Sequence, residues 1–418
     1  MAHINTFRNL DHRKKMHVKD AFSSSLPCSF GAFCGRLNQR NTIGLYELSR
    51  VVGSMGAVIL HNDPQFELQL RETRNIHPQA YLGNNLPIFL ARSPETKEAF
   101  YDPLYGLSKS SVLEVLAPRT ASENIQQMNL IQAILNDYLS IMEHQFRKNP
   151  TVFGEYPYNL DLLYDLVSMS YSDLEHKVLN FLPDELSISI RSRLSANGAQ
   201  QLAYNTVFSF ARSMEAFIWK RRGFAGHTRL SIISTVKSRR IISIQIPTSK
   251  SDVLDYLAVE LQLLINEHFP FMLLENGLNL NSSPRLKAIF LNDHEALPYY
   301  TGILSENVAG MVDAVESTND LANLFSQSQE IFVFSCPNTL SAQPFSDGIG
   351  NYYRTAVDRQ FSTHREPFHL LGAQGAGGTR HEVSQRIIDP EELTELGNGC
   401  LLFGKNYSYP ILVDSFII

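Results

Sequence analysis

The chain has no stretch of about 18 consecutive apolar residues, so no membrane-spanning helix is expected. Its first twenty residues mix His, Arg, Lys and Asp with isolated apolar side chains and lack the apolar core of a signal peptide. A basic excess is missing too. Its 36 Lys and Arg stand against 42 Asp and Glu, for a net charge of −6. A protein whose main task is to wrap nucleic acid carries the opposite balance, which leaves only a local basic patch for DNA. Cysteine is scarce. Cys28, Cys34, Cys336 and Cys400 form no CxxC pair and have no histidines near them at zinc spacing. Free thiols in a reducing cytoplasm, and no metal, are the expectation. No repeat of fixed period occurs.

What is present is ordinary globular composition: 418 residues, 44% hydrophobic and 19% charged. That is enough for two or three domains at roughly 100–200 residues each. Residues 28–35 (CSFGAFCG) read as a buried strand, 36–42 as a polar loop, 43–53 as an amphipathic helix and 57–61 (AVILH) as an apolar strand. Strand, loop, helix, strand is a βαβ unit and implies a parallel sheet. Residues 87–91 and 112–116 read as short strands, and 128–146 as a long helix. From 159 to 224 apolar residues recur at helical spacing with almost no Gly, which predicts helices over 159–168, 172–181, 183–194 and 199–218. Ser172 with Glu175, and Asp184 after Pro183, mark helix starts. Strands are then expected at 240–246, 286–291 and 331–335, and helices at 253–268 and 318–325. Residues 372–379 (GAQGAGGT) read as a flexible linker, and 400–403 with 411–413 as a closing antiparallel pair.

Two segments could carry chemistry. A phosphate-binding loop reads GxxxxGK[ST]: glycines let backbone N–H groups face the phosphates, Lys neutralises them and Ser or Thr holds Mg²⁺. Gly35 is followed at that spacing by Arg40, Asn41 and Thr42. Only Thr42 keeps its type. Arg40 puts a side chain where backbone must approach phosphate, and Asn41 removes the mobile charge. The residues alone also fit an ordinary strand-to-helix loop. The second segment, 286–298 (LKAIFLNDHEALP), offers Asp293 and Glu295, split by His294, where P-loop motors place an Asp-Glu pair for Mg²⁺ and water. Lys220, Arg221 and Arg222, and Arg239 with Arg240, are short basic runs that suit either solvated surface or DNA phosphates.

The order of these elements resembles that of the type IV secretion coupling proteins, the TraG/TraD family, in the FtsK/HerA branch of P-loop motors. Residues 382–398 (EVSQRIIDPEELTELGN) and the following CLLFGKNYSYPIL look like that family's C-terminal stretch. Residues 239–258 (RRIISIQIPTSKSDVLDYLA) are similar to the strand and helix after its helical domain, and 57–63 (AVILHND) to its strand with a terminal Asp. The resemblance runs from about Pro27 to the end of the chain. It implies an α/β fold: a RecA-like P-loop NTPase-type domain with a mainly parallel sheet, interrupted by an all-helical domain. The expected division is an extension over 1–26, RecA-like parts over 27–148 and 227–418, and a helical insertion over 149–226. The family's transmembrane hairpin has no counterpart here, and its Walker A and Walker B motifs are degenerate. The function implied is a pseudo-ATPase scaffold or substrate-docking subunit of a secretion or conjugation system. An active ring-forming motor and a soluble DNA-binding adaptor are the alternatives. No cofactor is expected, with ATP and Mg²⁺ if the loop is competent. Partners implied are secretion-system or coupling-complex proteins, DNA, and further copies or different subunits in an oligomer. The place implied is the cytoplasm, at the inner face of the inner membrane through partners.

Overall fold

A computed structural model describes residues 15–17, 29–35, 37–51, 53–76, 87–89, 100–116, 125–196, 198–215, 229–246, 251–291, 299–306, 324–363, 374–407 and 410–414. The chain begins β1 (Lys15–His17), β2 (Phe30–Phe33), α1 (Leu37–Val51), β3 (Gly56–His61), α2 (Pro64–Ile76), β4 (Ile88–Phe89) and β5 (Phe100–Tyr101). Helices follow: α3 (Lys109–Leu116), α4 (Ile125–Lys148), α5 (Pro150–Phe153), α6 (Leu160–Val167), α7 (Tyr171–Lys177), α8 (Asp184–Leu194) and α9 (Ala199–Glu215). Alternation resumes with β6 (Arg229–Leu230), α10 (Ile232–Lys237), β7 (Ile241–Gln245), α11 (Ser251–Asn266), β8 (Phe271–Asn276), α12 (Pro284–Leu291), β9 (Tyr299–Ser305) and β10 (Glu330–Phe334). Last come α13 (Thr339–Ile349), β11 (Asn351–Thr363), β12 (Gln374–Arg386), α14 (Pro390–Thr394), β13 (Cys400–Phe403) and β14 (Ile411–Asp414). Among the described residues no helix is long and apolar enough to cross a membrane.

Ten strands form one sheet in the order β1-β14-β13-β10-β2-β9-β8-β3-β7-β4. From β10 to β4 every pairing is parallel. β13 pairs antiparallel with both β10 and β14. The fold is the expected α/β class with a mainly parallel sheet. Both faces of the parallel block are covered, as parallel sheets require. Phe30 and Ala32 of β2 pack with Ile43 and Leu48 of α1 and Phe66 of α2 on one face. Phe33 of β2, Val58 and Leu60 of β3 and Leu273 of β8 face the opposite layer, which includes Leu257 and Leu261 of α11.

The helical stretch is stitched to the sheet at a two-stranded neck, where β5 pairs in parallel with β6. Asp102 follows β5. Its N–H donates to the Leu230 carbonyl at 2.8 Å, and its carboxylate accepts from the Leu160 N–H at 3.2 Å, at the start of α6. One buried residue thus ties the neck, through its backbone, to the first turn of a helix, through its side chain. Among the described residues between β5 and β6, no strand interrupts the helices.

Several sequence expectations fail for local reasons. Residues 112–116 lie in α3, a helix, because Ser108 accepts from the Ser111 N–H and Val112, Val115 and Leu116 fall on one buried face. Residues 286–291 likewise lie in helix α12. Ser283 starts it, Pro284 suits its first position, and Leu286, Ile289 and Phe290 are buried at helical spacing. A short apolar run fits either a strand or a buried helix turn, and the preceding Ser decides. The cap of α7 is Ser170, which accepts from the Asp173 N–H at 3.1 Å, and not Ser172 with Glu175. The Gly-rich residues 374–379 are not a linker: they belong to β12, paired antiparallel with β11 from Thr363 to Asn351. The strands β8 and β9 were not read from the sequence at all. The helix expected over 318–325 falls mostly outside the described residues.

Gly56 opens β3 against α10. A Cβ there would stand 2.7 Å from the Val236 Cα and carbonyl oxygen, both backbone. Gly56→Ala is therefore expected to cost about 1–3 kcal/mol, read as a lower urea midpoint at unchanged slope.

Candidate functional site at the carboxyl edge of the sheet

In parallel sheets, ligands bind beyond the carboxyl ends of the strands, where connections diverge. Here β2 sits between β9 and β10, and its outgoing connection crosses to β3. The turn after β2 is short. Cys34 adopts a positive φ of 57°, Gly35 follows, and α1 already begins at Leu37. Residues 37–42, expected as an open loop, are instead helix. Arg is a good helix former where a phosphate loop keeps glycine, so nothing holds the segment open. Backbone N–H groups from Asn41 onward are spent inside the helix and cannot cradle an anion.

Arg40 and Asn41 point into the edge and stay there. Arg40 is 2% exposed. Its Nε donates to the Gly35 carbonyl at 3.2 Å, and its guanidinium lies 3.5 Å from Glu306, just past β9. A Cβ on Gly35 would meet the Phe334 ring at 2.6 Å and the Arg40 Cγ at 3.1 Å, so glycine is what admits this fold-back. Glu306 is 79% exposed, so that ion pair is screened and contributes little. Asn41 is fully buried and bridges two strand ends. Its Nδ2 donates to Asp63 at 3.2 Å, and its Oδ1 accepts from Asn276 at 2.8 Å. Asp63 also caps α2, accepting from the N–H groups of Gln65 and Phe66 at 2.9 and 3.2 Å. Thr42 is buried.

The segment expected to lead as a strand into Asp293 and Glu295 is a helix, and a different strand ends in an acid and an amide at this edge. β8 reads FMLLEN: four apolar residues, then Glu275 and Asn276, beside β9 and β3. That is the pattern sought at 286–295, a short distance upstream of where it was placed. Asp293 and Glu295 lie outside the described residues, and the segment leading to them is helix α12, not a sheet strand. Glu306 carried no sequence signal, because only the end of β9 brings it to Arg40. Lys220, Arg221 and Arg222 also lie outside the described residues. Arg239 and Arg240 are exposed before β7, at the amino edge of the sheet and away from this site.

No family model matches the chain, and no curated protein matches it. Solved structures do overlay on most of it. The bacterial conjugative coupling protein TrwBdeltaN70, in an unbound monoclinic form, covers 95% of this chain and 90% of its own at 12% identity, with a TM-score of 0.48. The plasmid coupling protein TrwB in complex with ADP and Mg²⁺ covers 93% and 85% at 11% identity, with a TM-score of 0.46. VirB4 of Thermoanaerobacter pseudethanolicus covers 77% and 80% at 12% identity, with a TM-score of 0.34.

The charge balance of the site does not fit a nucleotide polyphosphate. One guanidinium, Arg40, faces the carboxyl groups of Glu306, Glu275 and Asp63. Phosphates need an excess of donors and positive charge, and here the Arg40 guanidinium and the Asn41 amide are turned to the protein's own acceptors. Among the described residues no group of three or more His, Cys, Asp or Glu could hold a metal ion. A cleft of about 570 Å³, lined by Arg40, Asp63, Asn276, Asn279 and Glu306, remains open to solvent beside these side chains.

Glu275 is 1% exposed, and burial pushes its carboxyl up to about 8, against the Leu278 N–H and Arg40, which favour the ionised form. In the unfolded chain a Glu titrates near 4.3, about four units lower. Below that value both states are protonated and the neutral Glu275 costs nothing. As pH rises towards 8 the unfolded chain sheds the proton first, so stability falls, by about 1.4 kcal/mol per pH unit at most. Glu275→Gln keeps the acceptor for Leu278 and removes the titration. The variant is expected to match the parent near pH 4 and to exceed it in melting temperature by a margin that widens up to pH 8. Asp102 and Glu260, raised to about 7 by burial, titrate in both proteins and cancel in the difference.

Proposed function

We propose that the chain is a coupling-protein-like subunit of a type IV secretion or conjugation system, working as a scaffold or substrate-docking protein and not as an ATP hydrolase. The observation that carries this reading is the buried Asn41, at the position of the phosphate-binding Lys, tied to Asp63 and Asn276. A mobile cation is the element of phosphoryl transfer that positions and stabilises the transferring group. Here its place is taken by a neutral amide that cross-links strand ends. Arg40 supplies charge, but its guanidinium is turned to the Gly35 carbonyl and Glu306. The ordered resemblance of residues 57–63, 239–258 and 382–398 to coupling proteins supports the choice of system. In this reading the protein acts in the cytoplasm, reaches the membrane through partner proteins, and assembles with itself or with a complete motor subunit. Its division into an extension, two RecA-like parts and a helical insertion belongs to the same proposal.

Titration with a fluorescent ATP analogue in the presence of Mg²⁺ tests it. The expected outcome is no saturable binding up to about 1 mM, equivalent to no more than about 4 kcal/mol, and no phosphate release. Saturation well below that concentration, with release of phosphate, would establish the motor reading instead. The DNA-binding alternative predicts duplex binding with a steep salt dependence, which fluorescence anisotropy at two salt concentrations would reveal.

A further inference from the structure

On the other side of Arg40 and Glu306 lies a second cavity, of about 580 Å³. Its wall includes Cys34, Gly35, Gln39, Glu306, Ser335 and Cys336. The two cysteines come from different elements. Cys34 ends β2, with its N–H donating to the Ser305 carbonyl at 3.2 Å. Cys336 lies two residues past β10, with its N–H donating to the Leu393 carbonyl at 2.9 Å. Because β2 and β10 are neighbouring parallel strands, with Phe33 opposite Val333, both chains leave the sheet side by side. Both side chains line this one cavity, the Cys336 thiol donates to the Phe334 carbonyl at 3.8 Å, and each thiol is a leading electrostatic influence on the other.

Buried cysteines are commonly inert small hydrophobes. Cys400 fits that description: it sits in the apolar layer under α1, and burial pushes its thiol up. The cavity pair differs in three respects. The two thiols leave neighbouring strands side by side, both line one cavity, and a guanidinium stands nearby. Cys336 and the charge of Arg40, whose Nε is bound to the carbonyl of the adjoining Gly35, lower the Cys34 thiol against the effect of burial, so Cys34 is the attacking sulfur and Cys336 the resolving one.

We infer that Cys34 and Cys336 form a reversible redox-modification site, oxidised to a disulfide by a small peroxide that enters this cavity. The Cys34 thiolate attacks one oxygen of hydrogen peroxide, the O–O bond breaks with hydroxide as the leaving group, and the hydroxide takes up the proton that the Cys34 thiol had released, leaving a sulfenic acid and one water. The Cys336 sulfur then attacks the Cys34 sulfur. The S–S bond forms, the S–O bond breaks, and the departing hydroxide takes the Cys336 proton as a second water. Two thiols lose two electrons in all, and one peroxide gains them. The bond ties the end of β2 to the segment between β10 and α13, next to the Gly35 carbonyl that holds Arg40. The site does not depend on whether nucleotide binds.

The test uses the full chain, purified in reductant, freed of it, and exposed to hydrogen peroxide in the folded state. Remaining thiols are alkylated with iodoacetamide and the protein is digested without reductant for mass spectrometry. The expected result is one linked pair of peptides carrying Cys34 and Cys336, reversed by dithiothreitol, with Cys400 alkylated only after unfolding. Cys336→Ser should leave a Cys34 sulfenic acid that dimedone traps. Should that variant fail to fold, the peptide map of the parent protein decides alone. Alkylation of both Cys34 and Cys336 after peroxide, oxidation of Cys34 to a sulfinic acid without the link, or a link from Cys34 to Cys28 would each overturn the inference.

Discussion

A parallel sheet buried on both faces leaves its strand ends as the one place where polar groups can gather without being trapped in apolar layers. Much of this structure follows from that constraint. β2, β3, β8 and β9 are apolar along their length, and their polar residues come together beyond their carboxyl ends: Asp63 after β3, Glu275 and Asn276 at the end of β8, Glu306 after β9. Each would be costly to bury alone. Asn41, reaching up from α1, satisfies two of them at once. As an amide, Asn41 donates to Asp63 and accepts from Asn276 at once, which a lysine, with no acceptor, could not do.

The same logic governs the neck. Glu260 on α11 is buried, accepts from the Tyr101 hydroxyl, and accepts from the Ile233 N–H at 3.2 Å. Asp102 closes the other side through Leu104 and Leu160. Burial raises both acids to about 7, while the N–H and O–H groups they accept from favour the ionised form, so each hydrogen-bond hub offsets part of its own desolvation. By contrast, Arg50 keeps its charge in an enclosed cluster with Glu47 and Glu330, linking α1 to β10. That cluster fixes the far end of α1, while Asn41 fixes the near end. The helix therefore has little freedom to retreat and reopen a loop after Gly35.

Arg40 has two structural consequences that reinforce each other. As a good helix former it suits a helix that already begins at Leu37, so the segment after Gly35 is closed. The same side chain then folds back over Gly35 and shields the ends of the strands. The two cavities of about 570 and 580 Å³ on either side of Arg40 and Glu306 are what is left of the edge.

The sequence alone determined the fold class, because apolar strands alternating with amphipathic helices can bury their faces only as a layered parallel sheet. It also located β2, Gly35, Arg40, Asn41, Thr42 and the Asp63 strand end, since each departs from or matches a motif of fixed spacing. It did not determine where the acidic strand end lies. FMLLEN and LKAIFL are both short apolar runs, and what separates strand β8 from helix α12 is the Ser283-Pro284 start and the available place beside β9 and β3. Nor could it show that residues 37–42 close into helix, since their propensity competes with a loop whose openness depends on a ligand or on neighbouring chain. The meeting of Arg40 with Glu306, of Asn41 with Asn276, and of Cys34 with Cys336 joins residues hundreds of positions apart. Such contacts follow from strand order, and strand order is settled only when the whole sheet has packed.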